Sequence, residues 1–94
     1  MRLLNKTLLT GFAEKHADSS RKIGVLIKEI DSAEWKTPNE LKAKYPKASV
    51  VDSANVVLNL CGNKYRIWLR VYYKTSIVIA HKIGNHKEYD KWKI

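Results

Sequence analysis

From Lys64 to Lys74 the chain alternates with a period of two. Tyr65, Ile67, Leu69, Val71 and Tyr73 fall on one side, and Lys64, Arg66, Trp68, Arg70, Tyr72 and Lys74 on the other. Successive side chains of a strand point to opposite faces, so the pattern predicts one strand with an apolar face and a face of cations and aromatics. Asn55 to Leu60 also alternates, with Val56, Leu58 and Leu60 set against Val57 and Asn59. Ser76 to Ile83 is rich in β-branched residues and reads as a third strand. Cys61-Gly62-Asn63 and Lys74-Thr75 are turn signals between the three, which makes an antiparallel meander that Gly84 ends.

The first half of the chain is patterned for helices. Met1 to Leu4 reads as a short edge strand. Asn5 is placed to cap a helix from Lys6 to His16, striped by Leu8, Leu9, Phe12 and Ala13. Asp18 or Ser19 is placed to cap a longer one reaching Trp35, in which Ile23, Leu26, Ile27 and Ile30 follow the helical spacing of a buried side. Thr37-Pro38-Asn39-Glu40 has the form of a capping box with proline at the first helical position, and Pro46 stops the short helix that follows. Asn85, with Glu88 three residues on, starts a last short helix over residues 86–92. The expected fold is α+β, one domain spanning residues 1–94. Its N-terminal helices pack on the Tyr65/Ile67/Leu69 face of a small twisted antiparallel sheet. The opposite face is left open, with the short C-terminal helix at its rim.

Charge changes what that open face means. The 94 residues carry 18 Lys and Arg against nine Asp and Glu, a net charge of +9. The excess is spread along the chain, with ten basic against six acidic residues up to Lys47 and eight against three after it. A basic body, rather than a basic tail, implies a polyanionic partner. A face of four cations interleaved with Trp68 and Tyr72 is what phosphates and bases would meet. The single cysteine, Cys61, excludes an intrachain disulfide and fits a reducing compartment. Apolar runs are too short to span a membrane, and Asn5 and Lys6 interrupt the start of any signal peptide, so a soluble cytoplasmic protein is expected.

Candidate chemistry follows from the same residues. His16, His81, His86 and Cys61 show no zinc-ligand spacing, and glycine-rich nucleotide-cradling loops are absent, so neither a metal nor a cofactor is indicated. Cleavage of RNA needs neither. The ribose 2′-OH is the nucleophile, and a protein has only to align it, take its proton, offset charge on the phosphorane and protonate the leaving oxygen. Arg66 and Arg70 share one strand face. His86 and Tyr89 are three apart on a helix and share a side. Lys64, Lys36, Lys42 and Lys74 are further candidates for phosphate contacts, and Trp68, Tyr72 or Tyr89 for stacking on a base. From these residues alone, a non-catalytic RNA- or DNA-binding module and a domain that pairs with an acidic protein both stay open.

Several spaced motifs together resemble one family. Asn59-Leu60-Cys61-Gly62-Asn63-Lys64-Tyr65-Arg66 is similar to the Asn-x-Gly-Gly-Asn-x-x-Arg signature of HigB-type toxins. Asn85-His86-Lys87-Glu88-Tyr89-Asp90 resembles their Thr-His-x-Glu-Tyr-Asp ending. Trp35-Lys36-Thr37-Pro38 to Leu41-Lys42-Ala43 also matches, as does the start with Phe12-Ala13-Glu14-Lys15-His16. The resemblance covers nearly the whole chain in the same order. It implies a RelE-like fold and a ribosome-dependent mRNA endonuclease, an mRNA interferase of a type II toxin–antitoxin pair, which cuts mRNA in the ribosomal A site. It also implies a HigA-type helix-turn-helix antitoxin as partner. By the motif match Arg66, His86 and Tyr89 take the catalytic role and Arg70 a supporting one; which group is base and which acid stays open. The chain departs at Cys61, where the family has glycine, at Asn85, where it has Thr, and at His81, where Arg is more usual. His81 is then either a weaker phosphate contact or a second proton-transfer group.

Overall fold

A computed structural model describes all residues, Met1–Ile94. The elements run β1 (Arg2–Leu4), α1 (Lys6–Lys15), a 3-10 turn (Ala17–Ser19), α2 (Ser20–Ser32), α3 (Pro38–Lys44), β2 (Ser49–Val50), β3 (Asn55–Leu60), β4 (Tyr65–Tyr72), β5 (Ile77–Asn85) and α4 (His86–Tyr89). The α+β expectation holds. β3, β4 and β5 form the antiparallel meander, within a five-stranded sheet of order β1-β5-β4-β3-β2. The sheet is mixed, because β1 lies parallel to β5 at one edge. β2 at the other edge went unread: two residues are too few to show a period.

The main core lies between the helices and one sheet face. Leu9, Ile23, Leu26, Ile30 and Leu41 from the helices meet Val56, Leu58, Ile67, Leu69, Val71, Val78 and Ala80 from the strands. These are the apolar stripes of the sequence, and burying them is the main force closing the layers. Caps follow the sequence at two helices and depart from it at two. Thr37 Oγ1 accepts from the Glu40 amide with Pro38 behind it. Asn85 and Glu88 make a reciprocal capping box. Asn5, in contrast, has φ +64° and turns its side chain away from the helix, donating to the Ala80 carbonyl at 2.8 Å across the sheet. Ser19 donates back to the His16 carbonyl at 2.7 Å, and the Asp18 carboxylate is taken by Lys64 and Tyr65. Asn5 is taken by a tertiary partner, and Ser19 by a local backbone carbonyl of the preceding turn. α2 stops at Ser32, short of Trp35, which packs edge-on against Tyr45. β5 runs on through Gly84 to Asn85 instead of ending at the glycine, and α4 is helical only to Tyr89.

The second sheet face is not open along its whole length. Val57 and Trp68 are paired across β3 and β4 and are 2% and 4% exposed, yet neither belongs to the main core. They make a small second core. His81 stands edge-on to the Trp68 ring at 4.2 Å and Trp92 lies 6.3 Å from it, while Arg70 and Lys82 sit over its faces. The expectation that Trp68 is free to stack on a base is therefore corrected: its faces are covered and its indole N–H donates to Asn55 Oδ1 at 2.8 Å. The cover arises at a register shift between Trp68 and Leu69, where β5 skips His81 and both His81 and Lys82 turn toward the indole.

Candidate active site

Arg66 is the second residue of β4, and Gly84 is its cross-strand partner. The glycine leaves space that Glu88 fills: a Cβ at position 84 would lie 2.9 Å from Glu88 Cβ. That close approach lets the capping box fold α4 back over the end of the ribbon. Glu88 N donates to Asn85 Oδ1 at 2.9 Å, and Asn85 N donates to Glu88 Oε1 at 3.1 Å. The result is that Arg66, His86 and Tyr89 meet. Arg66 Nη2 is 3.3 Å from His86 Nε2, the Arg66 guanidinium carbon is 5.5 Å from the centre of the Tyr89 ring, and the His86 and Tyr89 rings stand perpendicular at 6.1 Å.

The contact between Arg66 and His86 constrains the imidazole. A guanidinium only donates, so the pairing is favourable where Nε2 presents a lone pair. The ring proton then sits on Nδ1, which faces Asp90 Oδ1 at 3.7 Å. This tautomer is assigned from hydrogen-bond logic. Nε2 is the atom that can take a proton, and with the His86 side chain 58% exposed it is open to a polymer. On the other side, Asn63 Oδ1 accepts from Arg66 Nη1 at 3.3 Å. Asn63 ends a run of three left-handed residues, Cys61, Gly62 and Asn63, with φ of +53°, +59° and +80°. Cys61 holds a conformation that a side chain disfavours, where glycine would be free of strain.

The remaining sequence candidates lie at graded distances from this point. Arg70 is four residues along β4, roughly 13 Å at strand spacing, and its Nε is buried without a partner. Tyr72, exposed, is six residues along β4, roughly 20 Å away, and Lys74 lies beyond it in the turn after β4. Lys64 is bound to Asp18 Oδ2 at 2.6 Å. Lys42 donates to the Ala48 carbonyl at 2.6 Å. Lys36 precedes α3 and Lys42 lies within it; Leu41 of this helix sits in the main core, across the sheet from Arg66. His81 adjoins the second core; burial, and then the charges of Arg70 and Lys82, hold its pKa below the usual histidine range. Asn63 and Asp90 were missed as site residues, although both were legible: Asp90 is the fourth residue after His86, and Asn63 the third before Arg66 in the same quoted motif.

The architecture, with a basic sheet end roofed by a short capped helix, defines a small RelE-like α+β domain built to meet a polyanion. The family description of HigB_toxin, a RelE-like toxic component of a toxin–antitoxin system, matches residues 19–92, and the chain belongs to that family. It is 27% identical over 92 residues to the mRNA interferase toxin HigB of Escherichia coli (strain K12), covering 96% of this chain and 88% of that one. The mRNA interferase HigB of Shigella flexneri matches to the same extent. The mRNA interferase HigB of Escherichia coli O6:H1 is 25% identical over 93 residues, covering 97% and 90% of the two chains. No helix is long and apolar enough to cross a membrane.

Proposed function

We propose that this toxin is an mRNA endonuclease acting in the ribosomal A site, without a metal, and that a HigA-type antitoxin holds it inactive in the cytoplasm. The observation that carries the reading is the meeting of Arg66, His86 and Tyr89, with His86 Nε2 3.3 Å from the guanidinium. The relatives, which are mRNA interferases, point the same way.

The arrangement supports the following sequence. A substrate phosphate takes the Arg66 guanidinium, which leaves His86 Nε2 free. Nε2 accepts the proton of the ribose 2′-OH, and the oxygen attacks the adjacent phosphorus. Arg66 offsets the charge that develops on the phosphorane oxygens. The bond from phosphorus to O5′ breaks, O5′ takes a proton, and a cyclic 2′,3′-phosphate or its 3′-phosphate hydrolysis product remains. We assign that proton to Tyr89, the other group with a transferable proton on this side of α4.

The test is expression of the wild type beside Arg66→Ala, His86→Ala and Tyr89→Phe, with transcript 5′ ends mapped with and without a block on translation. The wild type is expected to yield new ends only during translation. Each variant is expected to lose roughly 100-fold or more in rate, the scale of one acid, base or charge-stabilising group. Intact transcripts in all four strains would overturn the reading. Salt-sensitive RNA binding without cleavage would replace it with a binding module.

A further inference from the structure

The carboxylate of Asp18 ties the 3-10 turn to the loop between β3 and β4. It accepts from Lys64 Nζ at 2.6 Å and from the Tyr65 hydroxyl at 2.9 and 3.1 Å, and the Asp18 carbonyl accepts from Cys61 Sγ at 3.7 Å. Both ends of the loop are thus attached to one residue 43 to 47 positions earlier in the chain. Between those attachments lie the left-handed residues Cys61, Gly62 and Asn63. A loop in that conformation, with a strained non-glycine residue, persists where its surroundings over-determine it. Asn63 is the residue of the loop that touches Arg66.

We infer that Asp18 is a positioning residue: it pins the Cys61–Lys64 loop to the helical layer so that Asn63 holds the Arg66 guanidinium against His86. The inference rests on the reading of Arg66 and His86 as catalytic. It also gives Lys64 a different role from the phosphate contact expected from sequence. Lys64 is the far half of the clamp, its ammonium bound to the Asp18 carboxylate while most of its side chain stays exposed. Tyr65 is seated independently, its ring edge-on to Phe12 and His16, so its hydroxyl offers Asp18 a fixed donor. The carboxyl of Asp18 is held below the usual carboxylate range, first by Lys64 and then by Tyr65, so the clamp is charged at neutral pH.

The Asp18 and Lys64 side chains are 44% and 61% exposed, and ion pairs at such exposure add little to stability. Their removal leaves a folded protein to assay. The experiment compares wild type, Asp18→Ala, Asp18→Asn, Lys64→Ala and the Asp18→Ala/Lys64→Ala double variant in steady-state cleavage by programmed ribosomes. A second readout is the ¹⁵N signal of the His86 ring in the free protein. Asp18→Ala is expected to lower kcat roughly tenfold with KM nearly unchanged, the cost of misplacing a catalytic group by a fraction of an ångström. Lys64→Ala should lower kcat less, because Asp18 keeps its hydrogen bond from the Tyr65 hydroxyl, and the double variant should be no worse than Asp18→Ala, which has already lost the lysine. Asp18→Asn, which keeps an acceptor for the Tyr65 hydroxyl, should fall between. The His86 Nε2 signal should shift in every variant that lowers kcat. Unchanged kcat and an unchanged His86 signal in Asp18→Ala would overturn the inference. So would Lys64→Ala raising KM at constant kcat, since that would make Lys64 a contact for RNA. A wild type that cleaves nothing would remove the proposed function, while the ring signal would still decide whether Asp18 governs the contact between Arg66 and His86.

Discussion

Arg66 is held from two sides before any substrate arrives, by Asn63 at one guanidinium nitrogen and by His86 at the other. On the proposed mechanism, a charged group fixed in this way does not have to reorganise when the phosphorane forms, which is where electrostatic catalysis gains most. His81 shows the opposite use of a histidine. Its ring packs edge-on to Trp68, and burial together with the neighbouring cations keeps its proton affinity low. Its folded pKa lies below the unfolded one, so the unfolded chain binds more protons in the histidine range. The stability His81 contributes is present above that range and is lost as pH falls through it. Melting temperatures of the wild type should therefore fall on acidification through the histidine range more steeply than those of His81→Gln. Parallel pH curves for the two proteins would show that His81 carries no such linkage.

At the scale of elements, the site depends on a strand that turns directly into a helix. Gly84 continues β5 past the point where the sequence suggested it would stop, and the capping box at Asn85 sends the chain back over Arg66. The capping residues were legible because they act within four positions of one another. The role of Gly84 was not, because it concerns the room Glu88 needs rather than a turn. Gly84→Ala would drive a methyl group into the Glu88 side chain, which must move or lift α4. The prediction is a kcat loss on the order of tenfold or more, since His86 and Tyr89 shift together, with a change in stability of only about 1 kcal/mol, typical of one lost cap. Equal kcat in Gly84→Ala and the wild type would show that α4 absorbs the methyl without moving. The two mistaken caps fail for different reasons: Asn5 is drawn to a distant carbonyl across the sheet, and Ser19 donates back to the His16 carbonyl of the preceding turn.

The whole molecule has cores on both faces of its sheet. The larger was legible from the alternation in β3 and β4 and from the helical stripes. The smaller was not, because Trp68 stands among lysines and arginines and reads as part of a surface. Its burial comes from Val57 on the next strand, His81 on the one after, and Trp92 beyond the last helix. Trp68→Ala should cost about 3–5 kcal/mol, as for other buried tryptophans, and lower the melting temperature accordingly. A loss under about 1 kcal/mol, the range of an exposed aromatic, would return Trp68 to the surface.

The sequence alone determined which segments other than β2 are strand and helix, which stripe each buries, where α3 and α4 start, and that the body is basic. These are properties of neighbours a few residues apart, and steric period and capping chemistry act at that range. Only the tertiary structure decided that Arg66 lies against His86 across 20 positions, that Lys64 turns to Asp18, and that Trp68 is inside. Those outcomes depend on strand register and on competition between local and distant partners, and a chain settles both only when its layers close.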